Sequence, residues 1–90
     1  MASPQTIARL VEEIIKRLQL RRPLPTLPPA LFRRDLLRAL DETFLANYGR
    51  GPPPNLIAPV IPVPPNVDRL RGFLFELLTA GLDGNPDFDD

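Results

Sequence analysis

Residues 51–65 read GPPPNLIAPVIPVPP, and this stretch decides how the rest of the chain is organised. Seven of its fifteen residues are proline. Proline fixes φ near −65° and has no N–H to donate, so the stretch is neither helix interior nor central strand. It runs extended, largely as polyproline II, and has little conformational entropy left to lose. A second cluster, Pro23, Pro25, Pro28 and Pro29, has the same effect earlier in the chain. The two clusters separate three intervals, each with apolar residues at helical spacing. The expected fold is all-α: three amphipathic helices joined by extended proline-rich segments. Residues 1–82 form a single small helical domain, and residues 83–90 an acidic flexible tail.

The first interval opens on Ser3-Pro4, a helix-capping serine followed by a proline suited to the first helical position. Ile7, Leu10, Val11, Ile14, Ile15 and Leu18 follow at spacings of three and one, one broad apolar stripe. Glu12 with Lys16 and Glu13 with Arg17 are i, i+4 pairs in the favourable order. The helix fails by Arg22, because Pro23 disfavours α geometry before it. The second helix spans about Pro29 to Asn47, with Phe32, Leu36, Leu40 and Phe44 on one face, Leu37, Leu45 and Tyr48 beside it, and Gly49 placed for a left-handed C-terminal cap. Its charges oppose the helix dipole: Arg33 and Arg34 lie in the first turn, Asp41 and Glu42 near the end. The third helix starts at Asn66, and Val67, Leu70, Phe73, Leu74, Leu77 and Leu78 form its apolar face. Gly81 is its expected left-handed stop, with Leu82 folding back on Leu77; Phe75 falls off the stripe.

The extended segments carry their own patterns. Arg22, Pro25 and Pro28, with Leu24 and Leu27 between them, form Arg-x-x-Pro-x-x-Pro. This resembles the arginine-first class of ligands for Src-homology-3 domains. The resemblance implies apolar pairs entering aromatic slots and Arg22 reaching an acidic patch. The other reading of the segment is a stiff connector between the first two helices. In the second rod, Leu56, Ile57, Val60, Ile61 and Val63 alternate irregularly with prolines. Loops this long are uncommon inside compact domains, and disordered linkers are seldom this apolar. The rod therefore lies against something apolar, either its own helices or another subunit.

Composition narrows the function. The chain has no cysteine and no histidine, so it has no thiolate or imidazole ligand and lacks the commonest general base. Ser3 is its one serine and reads as a cap; no phosphate-binding glycine loop or nucleophile elbow occurs. Paired carboxylates such as Glu12-Glu13 and Asp41-Glu42 read as solvated surface. Asp83, Asn85, Asp87 and Asp89 have the first spacings of a calcium loop, but Pro86 and Phe88 break it, which leaves an acidic tail. No enzyme activity, cofactor, metal or small-molecule substrate is expected. No apolar run is long enough to span a membrane, and the N-terminus lacks the pattern of a secretory leader, so the expectation is a soluble cytoplasmic chain.

The net charge is zero but unevenly distributed. Residues 1–50 carry nine basic and five acidic side chains, and residues 51–90 two basic and six acidic. Such a chain can pair its halves internally or head-to-tail between subunits. A chain of this length buries little more than half of its unfolded surface. Its apolar content of 43% then exceeds what it can easily cover alone. The expectation is a non-catalytic protein–protein interaction or assembly protein that self-associates, using the first-helix stripe (Ile7, Leu10, Val11, Ile14, Ile15, Leu18) and the rod (Leu56, Ile57, Val60, Ile61, Val63). The alternative is a nucleic-acid-binding accessory protein using Lys16, Arg17, Arg21, Arg22, Arg33, Arg34 and Arg38.

Overall fold

Local end signals set the boundaries of the three helices. In the computed structural model, which describes residues 2–21 and 28–88 (19–21 by backbone alone), α1 is Pro4–Arg21, α2 Pro29–Tyr48 and α3 Val67–Leu82. No strand occurs among the described residues, and the fold is all-α. The Ser3 hydroxyl accepts the Thr6 N–H at 3.2 Å, and its carbonyl accepts the Ile7 N–H at 3.0 Å. The first satisfies an orphan donor of the helix N-terminus, and the second is the first intrahelical bond. α2 has no side-chain cap; Pro28 is extended, Pro29 lacks the donor that would need one, and the Pro28 carbonyl accepts the Phe32 N–H. Gly49 closes α2 at φ 73°, donating its N–H to the Leu45 carbonyl. The Asn66 side chain accepts the Arg69 N–H at 2.9 Å, and Asp68 supplies negative charge to the first turn of α3.

α1 packs against both α2 and α3. All six residues of its stripe are buried. They meet Phe32, Leu36, Leu40 and Phe44 of α2, and Leu70, Leu74, Leu78 and Leu82 of α3, in one hydrophobic cluster. Polar ties run along the edges of this layer. Arg71 of α3 reaches Glu12 of α1 at 2.7 Å and holds Asp68 on its own helix at 2.7 Å. Glu12 is therefore joined across helices, and Lys16, its expected partner along α1, makes no ion pair among the described residues. On the other side, Asn47 donates to the Glu13 carboxylate at 3.2 Å and to the Thr43 carbonyl at 2.8 Å, and Arg17 donates to the Thr43 hydroxyl.

The second rod closes the core. Ala58 and Pro64 are buried and Ile61 half-buried, whereas Ile57, Pro59, Val60 and Pro62 are exposed. Ala58, Ile61 and Pro64 lie at the three-residue spacing of an extended proline-rich rod, and half-buried Val63 adds to the side against the core. Three further contacts fix the rod. Leu56 is buried against Gly81, the Asn55 side chain donates to the Gly81 carbonyl at 2.7 Å, and Arg33 Nε donates to the Ala58 carbonyl at 2.7 Å.

Two features differ from the pattern expected at the C-terminal end. α3 does not stop at Gly81. It continues to Leu82, Asp83 is extended, and Gly84 takes the positive φ of 70°. Gly81 lacks a side chain because the rod crosses there. Beyond it, Pro86–Phe88 form a 3-10 turn whose Phe88 is only 3% exposed. Its ring sits edge-on to Phe44 and Tyr48, with centroids 5.5 and 4.8 Å away, and Arg50 lies over it at 5.1 Å. Arg50 also pairs with Asp87 at 3.5 Å. The acidic segment thus carries an aromatic anchor, which its charge conceals.

Candidate functional site

The first-helix stripe is placed inside the chain. Ile7, Leu10, Val11, Ile14, Ile15 and Leu18 all belong to the core of one copy, so none presents a surface to a partner. The reason is geometric: α2 and α3 both pack against α1.

The rod residues divide. Leu56 is core, Ile61 and Val63 pack against the core, and Ile57 and Val60 face outward at 68% and 63% exposure. Ile57 and Val60 are thus two branched aliphatic side chains left in water close together in the sequence. The flanking Pro59 and Pro62 are exposed as well. Together they make a stiff apolar ridge, held from beneath by Leu56, Ala58 and Pro64 and tied by Asn55 and Arg33. Leu37 and Leu45 of α2 add exposed apolar surface, Leu45 at 48%.

Of the basic group, three described arginines are engaged within the chain. Arg17 is engaged with Glu13 and Thr43, Arg33 with the rod carbonyl, and Arg34 with the buried Asp35 at 3.3 Å. These internal partners account for two arginines at the unfavourable end of the α2 dipole. Lys16 and Arg38 are exposed and form no ion pair among the described residues. Arg22, with the proline motif as far as Leu27, lies outside the described residues, as does the side chain of Arg21.

A groove unmarked in the sequence, except by the off-stripe Phe75, opens on the outer side of α3. It has a volume of about 350 Å³ and is lined by Phe75, Glu76, Thr79, Ala80 and Asp83. The Thr79 hydroxyl donates back to the Phe75 carbonyl at 2.7 Å, so its polar atom is already satisfied within the helix. Among the described residues no group of acidic side chains is placed to hold a metal ion, and no helix is long and apolar enough to cross a membrane. The chain matches no family model, no curated protein and no solved structure.

Proposed function

We propose that this protein is a non-catalytic, self-associating interaction module of the kind used as a small subunit, adaptor or assembly factor. One observation carries the reading: a proline-stiffened rod, pinned to the helices, holds Ile57 and Val60 out into water. Exposed branched aliphatics forgo about 25 cal/mol for each Å² left uncovered. A rod that is already rigid loses little entropy when a partner covers them. With the first-helix stripe committed to the core, the ridge is the surface on which association turns.

Light scattering on the wild-type protein and on an Ile57→Asp, Val60→Asp double variant tests this. The wild type is expected above the 10.1 kDa of one chain, and the double variant at that mass with its helix content intact. A wild type that stays at 10.1 kDa at tens of micromolar removes self-association from the reading. A fluorescent oligonucleotide bound with steep salt dependence would instead favour phosphate recognition by the basic residues.

A further inference from the structure

We infer that the surface receiving this ridge is the groove on α3 of a second copy of the same chain, in a head-to-tail contact. The inference rests on the self-association reading and names the receiving surface.

The groove is apolar at its centre and acidic at its rim. Phe75 and Ala80 line it, and Thr79 contributes its methyl because the hydroxyl is turned onto the helix backbone. Glu76 and Asp83 are exposed and make no ion pair among the described residues. Such a slot suits aliphatic side chains flanked by positive charge.

The ridge has that composition. Arg33 ties the rod at Ala58 to the first turn of α2, and Leu37 lies one turn on from Arg33, on the same helix face. The bond thus ties the rod, between Ile57 and Val60, to the helix that carries Leu37. Arg34 and Arg38 follow Arg33 and Leu37 along α2 and are exposed; Arg38 is free of ion pairs among the described residues, and the Arg34 side chain remains 59% exposed beside Asp35. Asp41, one turn further, ends the basic patch. The charges of the ridge come from the basic half of the chain and those of the groove from the acidic half, so the asymmetry of the sequence becomes complementarity between copies.

The contact is heterologous. The rod packs on the buried Gly81 side of α3, whereas the groove lies along Phe75, Glu76, Thr79, Ala80 and Asp83, with half-buried Phe75 at the edge of the core. A heterologous contact closes into a ring or propagates as a chain.

Charge reversal on each side, alone and mixed, tests the contact, with circular dichroism to confirm that each variant is folded. Glu76→Arg and Arg38→Glu are each expected to weaken self-association by about tenfold or more, and added salt to weaken the wild type. Mixing the two variants is expected to restore association, because one supplies an intact ridge and the other an intact groove. If Ile57→Asp with Val60→Asp dissociates the protein but both charge reversals leave it associated, the groove assignment is overturned and the self-association reading stands. Failure of the mixture to reassociate likewise overturns the head-to-tail contact. A wild type that is monomeric overturns both.

Discussion

Leu56 occupies the space that a side chain at position 81 would need. A Cβ built on Gly81 falls 2.7 Å from Leu56 Cγ and 2.9 Å from its Cβ. The Asn55 amide closes on the Gly81 carbonyl beside it. This crossing of rod and helix fixes where the rod begins, and so where Ile57 and Val60 point.

Gly81→Ala and Gly72→Ala should therefore move stability in opposite directions, although both replace a glycine of α3. At position 81 the clash includes Leu56 Cβ, which cannot move without the rod backbone, and overpacking of this kind costs about 1–3 kcal/mol. At position 72 a Cβ meets nothing within 4 Å, so the helix gains about 0.5–1 kcal/mol in propensity. Urea denaturation of both variants checks the pair. A stabilising Gly81→Ala would mean that the rod does not lie on α3.

Phe88→Ala should destabilise the domain by about 3 kcal/mol, the range for a buried phenylalanine, although it lies in an acidic segment beyond the last helix. Its ring completes an aromatic cluster with Phe44 and Tyr48. Arg50→Ala should cost less, about 0.5–1 kcal/mol, because it removes an exposed cation–π contact and an exposed ion pair. Thermal melts of the two variants give the comparison. A Phe88→Ala protein as stable as the wild type would leave residues 86–88 undocked.

How much of this was readable in advance depended on whether the relevant forces were local. The helix starts at Ser3 and Asn66, the left-handed stop at Gly49 and the α1 stripe all follow from near neighbours in sequence, and the structure has them, whereas of the α3 stripe Leu70, Leu74 and Leu78 are buried and Val67, Phe73 and Leu77 half-buried. Gly81 was ambiguous because a glycine near a helix end suits either a left-handed cap or a close crossing, and the deciding partner, Leu56, is 25 positions away. Phe88 was hidden for the same reason; its partners lie in α2. The rod gave no facing because prolines and aliphatics alternate irregularly along it, and which of them are buried is decided by the helices beneath. The α3 groove left one trace, Phe75 standing off its stripe.

Ile14→Asp and Ile57→Asp should separate core from surface among the residues that the sequence marks as candidate contacts. Ile14 is fully buried in α1, and an unpaired carboxylate there costs more than a domain of this size can lose. Ile57 stands in water, so its replacement should change the stability of one copy by no more than about 0.5 kcal/mol. Far-UV circular dichroism is expected to show the first unfolded and the second native. A folded Ile14→Asp protein would contradict the placement of α1 between α2 and α3.

The tie between Glu12 and Arg71 should make part of the stability depend on pH. The hydrogen bond from Arg71 holds the Glu12 carboxyl below its ordinary value of 4.5; partial burial opposes this, and the attraction of the guanidinium adds to it. A carboxyl with a lowered pKa in the folded state takes up its proton first in the unfolded chain. The tie thus contributes in full above the ordinary value and is lost as pH falls through the lowered one. Glu12→Gln removes the charge and keeps the shape. The wild type should be the more stable at about pH 7, and the difference should be smaller at about pH 3, below the ordinary value. It should also shrink in high salt, since both side chains are substantially exposed. Urea midpoints for the two proteins at the two pH values decide the matter. A difference that is the same at both would mean that Glu12 holds no Arg71 in solution, leaving apolar packing alone to join α1 to α3.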